Sequence, residues 1–531
     1  MIPSRAIRAF LGRPRDDLRR YKRMSDAALR RAAMALPARP PVWGKLQRDQ
    51  RVLLIAAARV RRLAAWADTG VGKTLFSMAL ARYWRRAGIA RRFLVLVPGN
   101  INLAEWESER DLHCPRTGMA VLSGSSRQKW AVVRGGAPLL TVATYAGLMR
   151  MACGKFVRRG KKWVPAEGAR VRAGEEVRLR PVPRLVEELA RTFDGLIMDE
   201  SSADQAVQHR NLAWRICRKI AQPPERPVVA LSGTPFGADP TPLWAQMYLV
   251  DRGESLGPTL GLFRAAFFKT EVNYFGGEKH TFRPEMADKL HRLLAHRSIT
   301  IEADEASLPP VVARTLPISL PRDAEDYAIM ARDQILAARG NYQETKNAFL
   351  RMRQISSGFL GYTDDETGKR AKFAFDECPK LELLLSRLQS IVGKYKVVVF
   401  HEFIYSGDRI CAELARLGIG HARAGAGTKG KIKEERGRFV RDPECRVFII
   451  SNRMAQGPNL QVAKYVEFYE TPIDPKTRKQ ARRRVERQHS EHSKVFITDY
   501  VVRGTYDQRI LNHLEEGRNL FDAIIRGEVK S

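Results

Sequence analysis

The chain has 531 residues, of which 44% are hydrophobic and 28% are charged. This length corresponds to roughly three or four domains or to two large ones with insertions, and the composition is that of a folded globular protein, so a single small module and a disordered chain are both excluded. The 92 Lys and Arg residues outnumber the 58 Asp and Glu residues and give a formal net charge of +34. Because such an excess attracts polyanions, nucleic acid is the leading class of partner.

The cysteine and hydropathy patterns indicate a reducing, aqueous setting. Six cysteines are scattered without a C-x-x-C pair, so neither a zinc site nor a disulfide framework is visible. The N-terminus lacks the apolar core of a signal peptide, and the apolar run Val52 to Ala58 is far shorter than the ~20 residues that span a membrane. We therefore expect a cytoplasmic protein.

Residues 1–44 are predicted to form a basic N-terminal extension. From Met1 to Arg48 the chain holds thirteen Lys or Arg residues against three acids, interrupted by the Pro-rich stretch Pro37 to Pro41. Two interpretations remain open, a solvated extension and an arm that contacts DNA.

Two series of short apolar runs, separated by helical stretches, predict two α/β domains with parallel sheets. Continuous apolar runs of this kind are typical of strands that are buried on both faces. The predicted strands are Leu63–Ala67, Phe93–Val97, Leu139–Ala143, Gly195–Met198 and Val228–Leu231 in residues 45–238, and Lys396–Phe400, Arg446–Ser451, Tyr465–Tyr469 and Val495–Tyr500 in residues 360–531. Residues 239–359 have a helical pattern and are predicted to be a helical insertion and linker.

A basic β-insert is predicted at residues 154–181, within the first domain. Val177 and Leu179 alternate with Arg178 and Arg180 at the two-residue period of a strand, and the segment holds nine basic residues against three acids. It is interpreted either as a loop elaboration without a role or as a nucleic-acid contact or wedge.

A phosphate-binding loop is predicted in the sequence ADTGVGKT, Ala67 to Thr74, because it follows a strand candidate and opens a helix. Its nucleotide-binding residues are Thr69, Gly70, Gly72, Lys73 and Thr74. The glycines allow the backbone amides to approach phosphates, Lys73 is expected to reach the β- and γ-phosphates of ATP, and the Thr74 hydroxyl is expected to bind Mg²⁺.

Two adjacent carboxylates complete the predicted site. The apolar strand in DGLIMDESS ends in Asp199 and Glu200, and the carboxyl edge of a parallel sheet is where ligands usually bind. Asp199 is predicted to hold Mg²⁺, and Glu200 is predicted to act as the general base for the attacking water.

These motifs, with Ala67 at the start of the loop and an adjacent Asp-Glu, resemble those of superfamily 2 helicases and translocases. Further segments of the first half are similar to motifs of that family and occur in the family's order. They are the adenine-reading glutamine at Gln50, motif Ia in Phe93–Trp106, motif Ib in Leu139–Tyr145 and motif III in Leu231–Phe236.

The second half resembles the Swi/Snf type of these ATPases, and the resemblance covers about nine-tenths of the chain, from Lys45 onward. It rests on the segments Leu308–Pro310, Leu350–Phe359, Lys396–Phe403, Ile449–Ala463 and Gln480–Gln488. The resemblance implies two tandem RecA-like domains, places Gly457 in motif V and Gln480 in motif VI at the nucleotide, and makes Arg484 and Arg487 arginine fingers. The compact layout, with Ser201-Ser202 after the acids, is closest to phage and bacterial members, which would place a phage-encoded protein in the host cytoplasm.

The leading hypothesis is a DNA-stimulated ATPase that uses ATP and Mg²⁺ to translocate on duplex DNA through sequence-tolerant backbone contacts. A second hypothesis is a strand-separating helicase that uses the insert 154–181 as a wedge. A third, of another class, is a non-enzymatic DNA-binding protein with a degenerate ATPase core, and the intact Lys73, Asp199, Glu200, Arg484 and Arg487 argue against it. A nucleotide kinase or GTPase is disfavoured further, because neither would need the second sheet or the large positive charge.

Overall fold

The computed structural model describes residues 3–68, 70–159, 162–166, 176–203, 206–272, 278–302, 308–337, 342–363, 370–425, 432–454, 460–486, 490 and 492–521. Its contacts divide the chain into two compact units. The first unit is built mainly from residues 1–270 and 280–303, and the second mainly from residues 304–520.

The first unit contains a seven-stranded parallel sheet in the order β12-β1-β9-β8-β2-β4-β3. Its strands are β1 (Arg62–Ala67), β2 (Phe93–Val97), β3 (Met119–Val121), β4 (Leu140–Thr144), β8 (Gly195–Met198), β9 (Val228–Ser232) and β12 (Ser298–Ile301). Its helices are α1 (Ser4–Leu11), α2 (Asp26–Met34), α3 (Arg48–Val60), α4 (Lys73–Arg86), α5 (Asn100–His113), α6 (Ser126–Arg134), α7 (Tyr145–Ala152), α8 (Pro183–Thr192), α9 (Leu212–Ile220), α10 (Pro242–Asp251), α11 (Leu260–Phe267) and α12 (Ala287–Leu294).

Every residue of β1, β2, β4, β8 and β9 is buried, which explains their nearly continuous apolar sequences. Between α7 and α8, the strands β5 (Cys153–Arg159), β6 (Lys162–Pro165) and β7 (Val177–Pro181) form a separate three-stranded antiparallel sheet in the order β6-β5-β7. This sheet is the predicted basic β-insert, and β10 (Phe268–Val272) with β11 (Glu278–Phe282) forms a further two-stranded sheet.

The second unit contains a six-stranded parallel sheet in the order β13-β20-β19-β16-β18-β17. Its strands are β13 (Val311–Ile318), β16 (Lys396–His401), β17 (His421–Ala424), β18 (Val447–Ser451), β19 (Ala463–Phe468) and β20 (Val495–Val502), and the pair β14 (Phe359–Thr363) and β15 (Arg370–Ala374) forms an antiparallel hairpin. Its helices are α13 (Arg322–Ala337), α14 (Tyr342–Ile355), α15 (Pro379–Ile391), α16 (Ile404–Arg416), α17 (Ile432–Arg441), α18 (Pro475–Arg482) and α19 (Asp507–Phe521).

The two parallel sheets confirm the predicted tandem RecA-like α/β fold, and all nine predicted strands are present. One difference lies in residues 239–359, which were expected to be helical but contain the strands β10, β11, β12 and β13. The sheet orders place β12 at an edge of the first parallel sheet and β13 at an edge of the second. The first unit therefore extends past residue 238, and the second begins before residue 360.

The basic N-terminal extension is part of the first unit and packs into its core. Leu18 and Leu29 are completely buried, and Phe10 is nearly so. The backbone N–H of Leu18 donates to the carbonyl oxygen of Ala295 at 2.9 Å, which ties the extension to the segment before β12. Most of its arginines remain exposed, so the extension is a folded element with a basic outer surface.

Candidate active site

Three neighbouring strands bring the predicted catalytic residues of the first unit to one edge of its sheet. Strand β9 pairs in parallel with both β1 and β8, so the carboxyl ends of all three lie together. The phosphate loop follows β1, Asp199 and Glu200 follow β8, and the segment Gly233 to Phe236 follows β9. The sheet order thus juxtaposes segments that lie far apart in the sequence.

The phosphate loop has the backbone that its glycines allow. Gly70 and Gly72 adopt φ angles of 98° and 77°, a region that favours glycine. The Gln50 side-chain amide donates from Nε2 to the Val71 carbonyl oxygen at 2.9 Å, and a Cβ atom at Gly72 would lie only 2.1 Å from that nitrogen. The positive φ favours glycine at position 72, and any larger residue there would also displace the Gln50 amide.

Gln50 is engaged at both ends of its amide. Its Oε1 accepts from the backbone N–H of Gln47 at 2.9 Å, which caps α3, while its Nε2 supports the loop. The structure thus gives Gln50 a positioning role that the sequence did not reveal. Its contact with adenine stays a prediction.

Lys73 lies beside the carboxyl end of β1, at the edge of the sheet. Its Nζ donates to the Ala67 carbonyl oxygen at 3.0 Å and forms an ion pair with Glu200 Oε1 at 3.0 Å. The two paired side chains are only 12% and 16% exposed. A Cβ atom at Gly233 would lie 3.6 Å from Lys73 Nζ and 3.3 Å from the Ala67 oxygen, so motif III passes this cation closely.

The residues at this edge of the sheet fit a nucleoside triphosphate together with Mg²⁺. Lys73 and Thr74 open α4, a helix of 14 residues, and the free amides of a helix N-terminus favour phosphate. The hydroxyl of Thr74 and the carboxylate of Asp199 are oxygen donors of the kind that Mg²⁺ prefers. Thr69 lies outside the described residues.

Asp199 is held in a fixed orientation by two hydrogen bonds. Trp106 Nε1 donates to its Oδ2 at 3.0 Å, and the backbone N–H of Glu200 donates to its Oδ1 at 3.0 Å. Burial, and then the charge of Glu200, raises the pKa of Asp199 to about 6, whereas Lys73 and Trp106 oppose that change. Tyr145 supports the same turn, since its hydroxyl donates to the Asp199 carbonyl oxygen at 3.0 Å.

Glu200 adopts a left-handed backbone with φ of 43°, which is uncommon for a residue with a side chain and is concentrated at functional sites. The Ser232 hydroxyl donates to Glu200 Oε2 at 3.3 Å. Ser202 then joins the two motifs, because its hydroxyl lies 2.9 Å from that of Ser232 and donates to the Thr234 carbonyl oxygen at 2.7 Å. Ser202 therefore forms a direct link between the segment that follows β8 and motif III.

Ser201, the other residue of this pair, faces the interior. Its hydroxyl donates to Gln246 Oε1 at 2.8 Å, and Gln246 Nε2 donates to the Pro235 carbonyl oxygen at 2.7 Å. Both side chains are fully buried. Helix α10 thereby fixes the segments that follow β8 and β9.

In the second unit, the motif VI segment is packed rather than freely solvated. Asp474 caps α18 by accepting from the backbone N–H groups of Lys476 and Thr477, and Gln480 is buried. Arg478 makes two hydrogen bonds to Asp499, at 2.8 and 2.5 Å.

Arg484 follows α18 and is half-buried, and its carbonyl oxygen accepts from the backbone N–H of Leu460 at 2.8 Å. This bond joins the motif V and motif VI segments within the second unit. Arg487 and Gly457 lie outside the described residues. The roles of Arg484, Arg487, Gly457 and Gln480 at the nucleotide stay predictions.

In the part of the chain that the structure describes, every helix is too short or too polar to cross a membrane.

Residues 42–236 match the family described as the res subunit of type III restriction enzymes. Protein p41 of Acyrthosiphon pisum secondary endosymbiont phage 1 is 24% identical over 330 residues, which cover 60% of this chain and 64% of that protein. The chain thus spans about two-thirds of the length of this curated relative.

Two solved structures are also similar. The SWI2/SNF2 ATPase core of Sulfolobus solfataricus, in complex with dsDNA, is 18% identical and matches over 91% of this chain and 93% of that chain, with a TM-score of 0.35. The C-terminal part of the Fun30 ATPase domain is 16% identical over 41% of this chain and 98% of that chain, with a TM-score of 0.32.

The family match covers the phosphate loop, both acidic residues and motif III in one continuous segment. This match and the order of the motifs along the chain are those of an ATP-hydrolysing enzyme of the helicase type.

Proposed function

We propose that the protein is a DNA-stimulated ATPase that couples ATP hydrolysis to translocation on duplex DNA. The observation that best supports this proposal is the Lys73–Glu200 ion pair at the edge where β1, β8 and β9 end. This pair brings the amino group of Lys73 and the carboxylate of Glu200, the proposed phosphate-binding cation and the proposed general base, into contact beside the glycine-containing loop.

In the proposed reaction, Lys73 neutralises the β- and γ-phosphates of ATP, and Thr74 and Asp199 hold Mg²⁺. When bound, Mg²⁺ supplies positive charge to the phosphate oxygens. Because Lys73 is proposed to turn from Glu200 to the phosphates, Glu200 Oε1 can then accept a proton from water. Trp106 keeps the Asp199 carboxylate oriented throughout.

Arg484 and Arg487 are proposed to stabilise the charge that develops on the γ-phosphoryl group. The DNA partner is proposed from the net charge of +34, which favours sequence-tolerant contacts to the phosphate backbone. The hydrogen bonds of Ser202 to Ser232 and Thr234 offer a path from the hydrolytic site to motif III.

Triplex displacement tests translocation directly. A duplex translocase displaces the third strand of a triplex in an ATP-dependent manner but does not separate a forked duplex. The measurement is the release of a labelled third strand by the full chain, with Glu200→Gln as the matched inactive control. Failure to release it under conditions of DNA-stimulated ATP hydrolysis would exclude translocation.

A strand-separating helicase is the second candidate, and the three-stranded sheet of the insert favours it as a possible wedge. The ends of the insert are adjacent, since the Val182 N–H donates to the Ala152 carbonyl oxygen at 2.8 Å, so a short Gly-Ser linker can replace residues 154–181. Fork unwinding by the intact protein that is lost in the linker variant, with ATP hydrolysis retained, would establish the helicase instead.

A further inference from the structure

The basic insert and helix α9 line a cavity of the first unit that is open to solvent. This cavity lies outside the proposed ATP site. Its volume is about 510 Å³, and its lining includes Trp163 and four arginines. Arg178 and Arg180 come from β7, Arg210 precedes α9, and Arg215 lies within α9. Strand β7 and the α9 region, which are separated in the sequence, thus both contribute arginines to this cavity.

Strand register explains how the insert contributes its side of the cavity. Trp163 pairs with Arg158 of β5, and Arg178 and Arg180 pair with Phe156 and Gly154 of the same strand. Directly paired residues of an antiparallel sheet share a face, and positions 154, 156 and 158 alternate onto the same one. The guanidinium carbons of Arg178 and Arg180 accordingly lie 5.5 and 5.1 Å from the centroid of the Trp163 ring.

The charge of the cavity is only partly neutralised. Glu176 pairs with Arg178 at 2.5 Å and with Arg158 at 3.4 Å. Among the described residues, no carboxylate forms an ion pair with Arg180, Arg210 or Arg215. Within the described residues, these three cations therefore carry charge that is available to an anion from outside the unit.

Helix α9 provides a rigid wall. Asn211 Oδ1 accepts from the backbone N–H of Trp214 at 2.7 Å and caps the helix, and Trp214 Nε1 donates to the Ala245 carbonyl oxygen at 3.1 Å. Trp214 is buried on the inner face, whereas Arg215 is exposed on the outer one.

A second cavity, of about 240 Å³, shares Arg215 with the first. It is also lined by Arg218, Lys219 and Arg252. The positive surface therefore continues along α9 beyond the insert.

We propose that this basic groove, formed by Trp163, Arg178, Arg180, Arg210 and Arg215, binds a segment of single-stranded DNA. The arginines contact consecutive phosphates, and Trp163 contacts a base. A positive groove that contains an aromatic side chain is the arrangement that proteins use for single strands. The cavity has the volume of a small-molecule site and therefore has room for one nucleotide, whereas a strand of a double helix would have to enter together with its paired strand.

The arginine test measures binding of fluorescein-labelled dT20 to the full chain by anisotropy, without ATP and over a range of salt concentrations. The variant is the triple substitution Arg180→Gln, Arg210→Gln and Arg215→Gln. Its control is Arg91→Gln, Arg116→Gln and Arg127→Gln, which removes three exposed arginines elsewhere in the first unit. Since each phosphate contact contributes about 0.7 to the log–log salt slope of a single strand, we expect a slope shallower by about 2 in the groove variant and unchanged in the control.

Substitution of Trp163 tests whether a base contact adds to the affinity that the arginine charges supply. Trp163→Ala is expected to weaken dT20 binding about five- to 150-fold, the range for loss of one stacked base, whereas Trp163→Phe retains most of the affinity. A 20-base-pair duplex serves as the second probe and is expected to bind all these variants within about twofold of wild type. Unchanged dT20 binding by the groove variant, or an equal loss on dT20 and duplex, would overturn the proposal. Thermal unfolding of each variant verifies that the fold is retained.

Discussion

Each unit contains a short ion pair between side chains, and the two pairs differ in their burial and in their neighbouring groups. Lys73 and Glu200 in the first unit, and Arg387 and Glu467 in the second, each approach to 3.0 Å. Glu200 is 16% exposed, whereas Glu467 is completely buried. Glu467 also accepts hydrogen bonds from the hydroxyls of Tyr500 at 2.8 Å and Thr498 at 3.3 Å.

The difference shows that the neighbours of an ion pair, rather than its length, indicate its role. Lys73 begins α4 directly after the left-handed Gly72, and Glu200 has a left-handed backbone itself. We propose that a phosphate replaces one partner of this pair. Arg387 links α15 to β19 and β20, and its removal would leave a carboxylate buried among strands. We therefore expect the first pair to serve catalysis and the second to serve stability.

The largest expected effect is loss of catalysis when the first pair is broken. Lys73→Ala is expected to abolish DNA-stimulated ATP hydrolysis, because the phosphate charge is no longer neutralised, while the thermal unfolding midpoint stays close to that of wild type. Glu200→Gln is expected to bind ATP without hydrolysing it. Hydrolysis at the wild-type rate by either variant would refute the assignment of the site.

The next effect concerns two cations of the second unit that are proposed to act on the nucleotide. Arg487→Ala and Arg484→Ala are each expected to lower kcat by about 10³- to 10⁵-fold with a smaller change in ATP affinity, since an arginine finger acts on transition-state charge. The measurement is steady-state ATP hydrolysis with saturating DNA. Unchanged kcat in both variants would make them structural residues like Arg387.

Breaking the Arg387–Glu467 pair is expected to reduce stability and to leave catalysis nearly unchanged. Arg387→Met should lower the free energy of unfolding by about 3–5 kcal/mol, because Glu467 is left buried without its cation. The kcat of the folded enzyme should stay within about twofold of wild type. Arg416→Met is the control, since Arg416 pairs with Glu413 at an exposed site and should change stability by less than about 1 kcal/mol. Equal stability of the two variants in denaturant titration would contradict the comparison.

The same contrast between buried and exposed surroundings explains which strands were predictable. The nine predicted strands include all the interior strands of both parallel sheets, where burial on two faces requires apolar runs. Within these two sheets, four strands were missed, β3, β12, β13 and β17, and they are the four edge strands. In β13, Arg314 and Pro317 interrupt the apolar pattern, which an edge strand tolerates because one side of it is unpaired.

The site was predictable to the extent that its residues follow local rules. Lys73 and Thr74 follow a strand and glycines, and Asp199 and Glu200 end a buried strand. Trp106 gives no such signal, because its hydrogen bond to Asp199 joins residues 93 positions apart and depends on β2 lying beside β8. The Ser202 contacts with Ser232 and Thr234 likewise depend on the order of the strands.

The smallest expected effect concerns exposed arginines of the N-terminal extension. Deletion of the extension would remove Leu18 and Leu29 from the core, so substitution is the appropriate test. Arg5 and Arg8 are exposed on α1 and form no ion pair within the described part of the chain, whereas Arg19 and Arg20 lie 2.6 and 3.7 Å from Asp17 and Asp16.

An unpaired arginine can exchange the counterions of DNA, whereas a paired one already has a local partner. If the extension contacts duplex DNA, the double variant Arg5→Gln and Arg8→Gln should make the log–log salt slope of duplex binding shallower by about 1.8, at about 0.9 for each lost phosphate contact. The matched variant Arg19→Gln and Arg20→Gln should change it by much less, because its arginines are compensated by Asp17 and Asp16. Equal slopes for wild type and both variants would assign the extension to the core of the first unit alone, with its basic surface facing solvent.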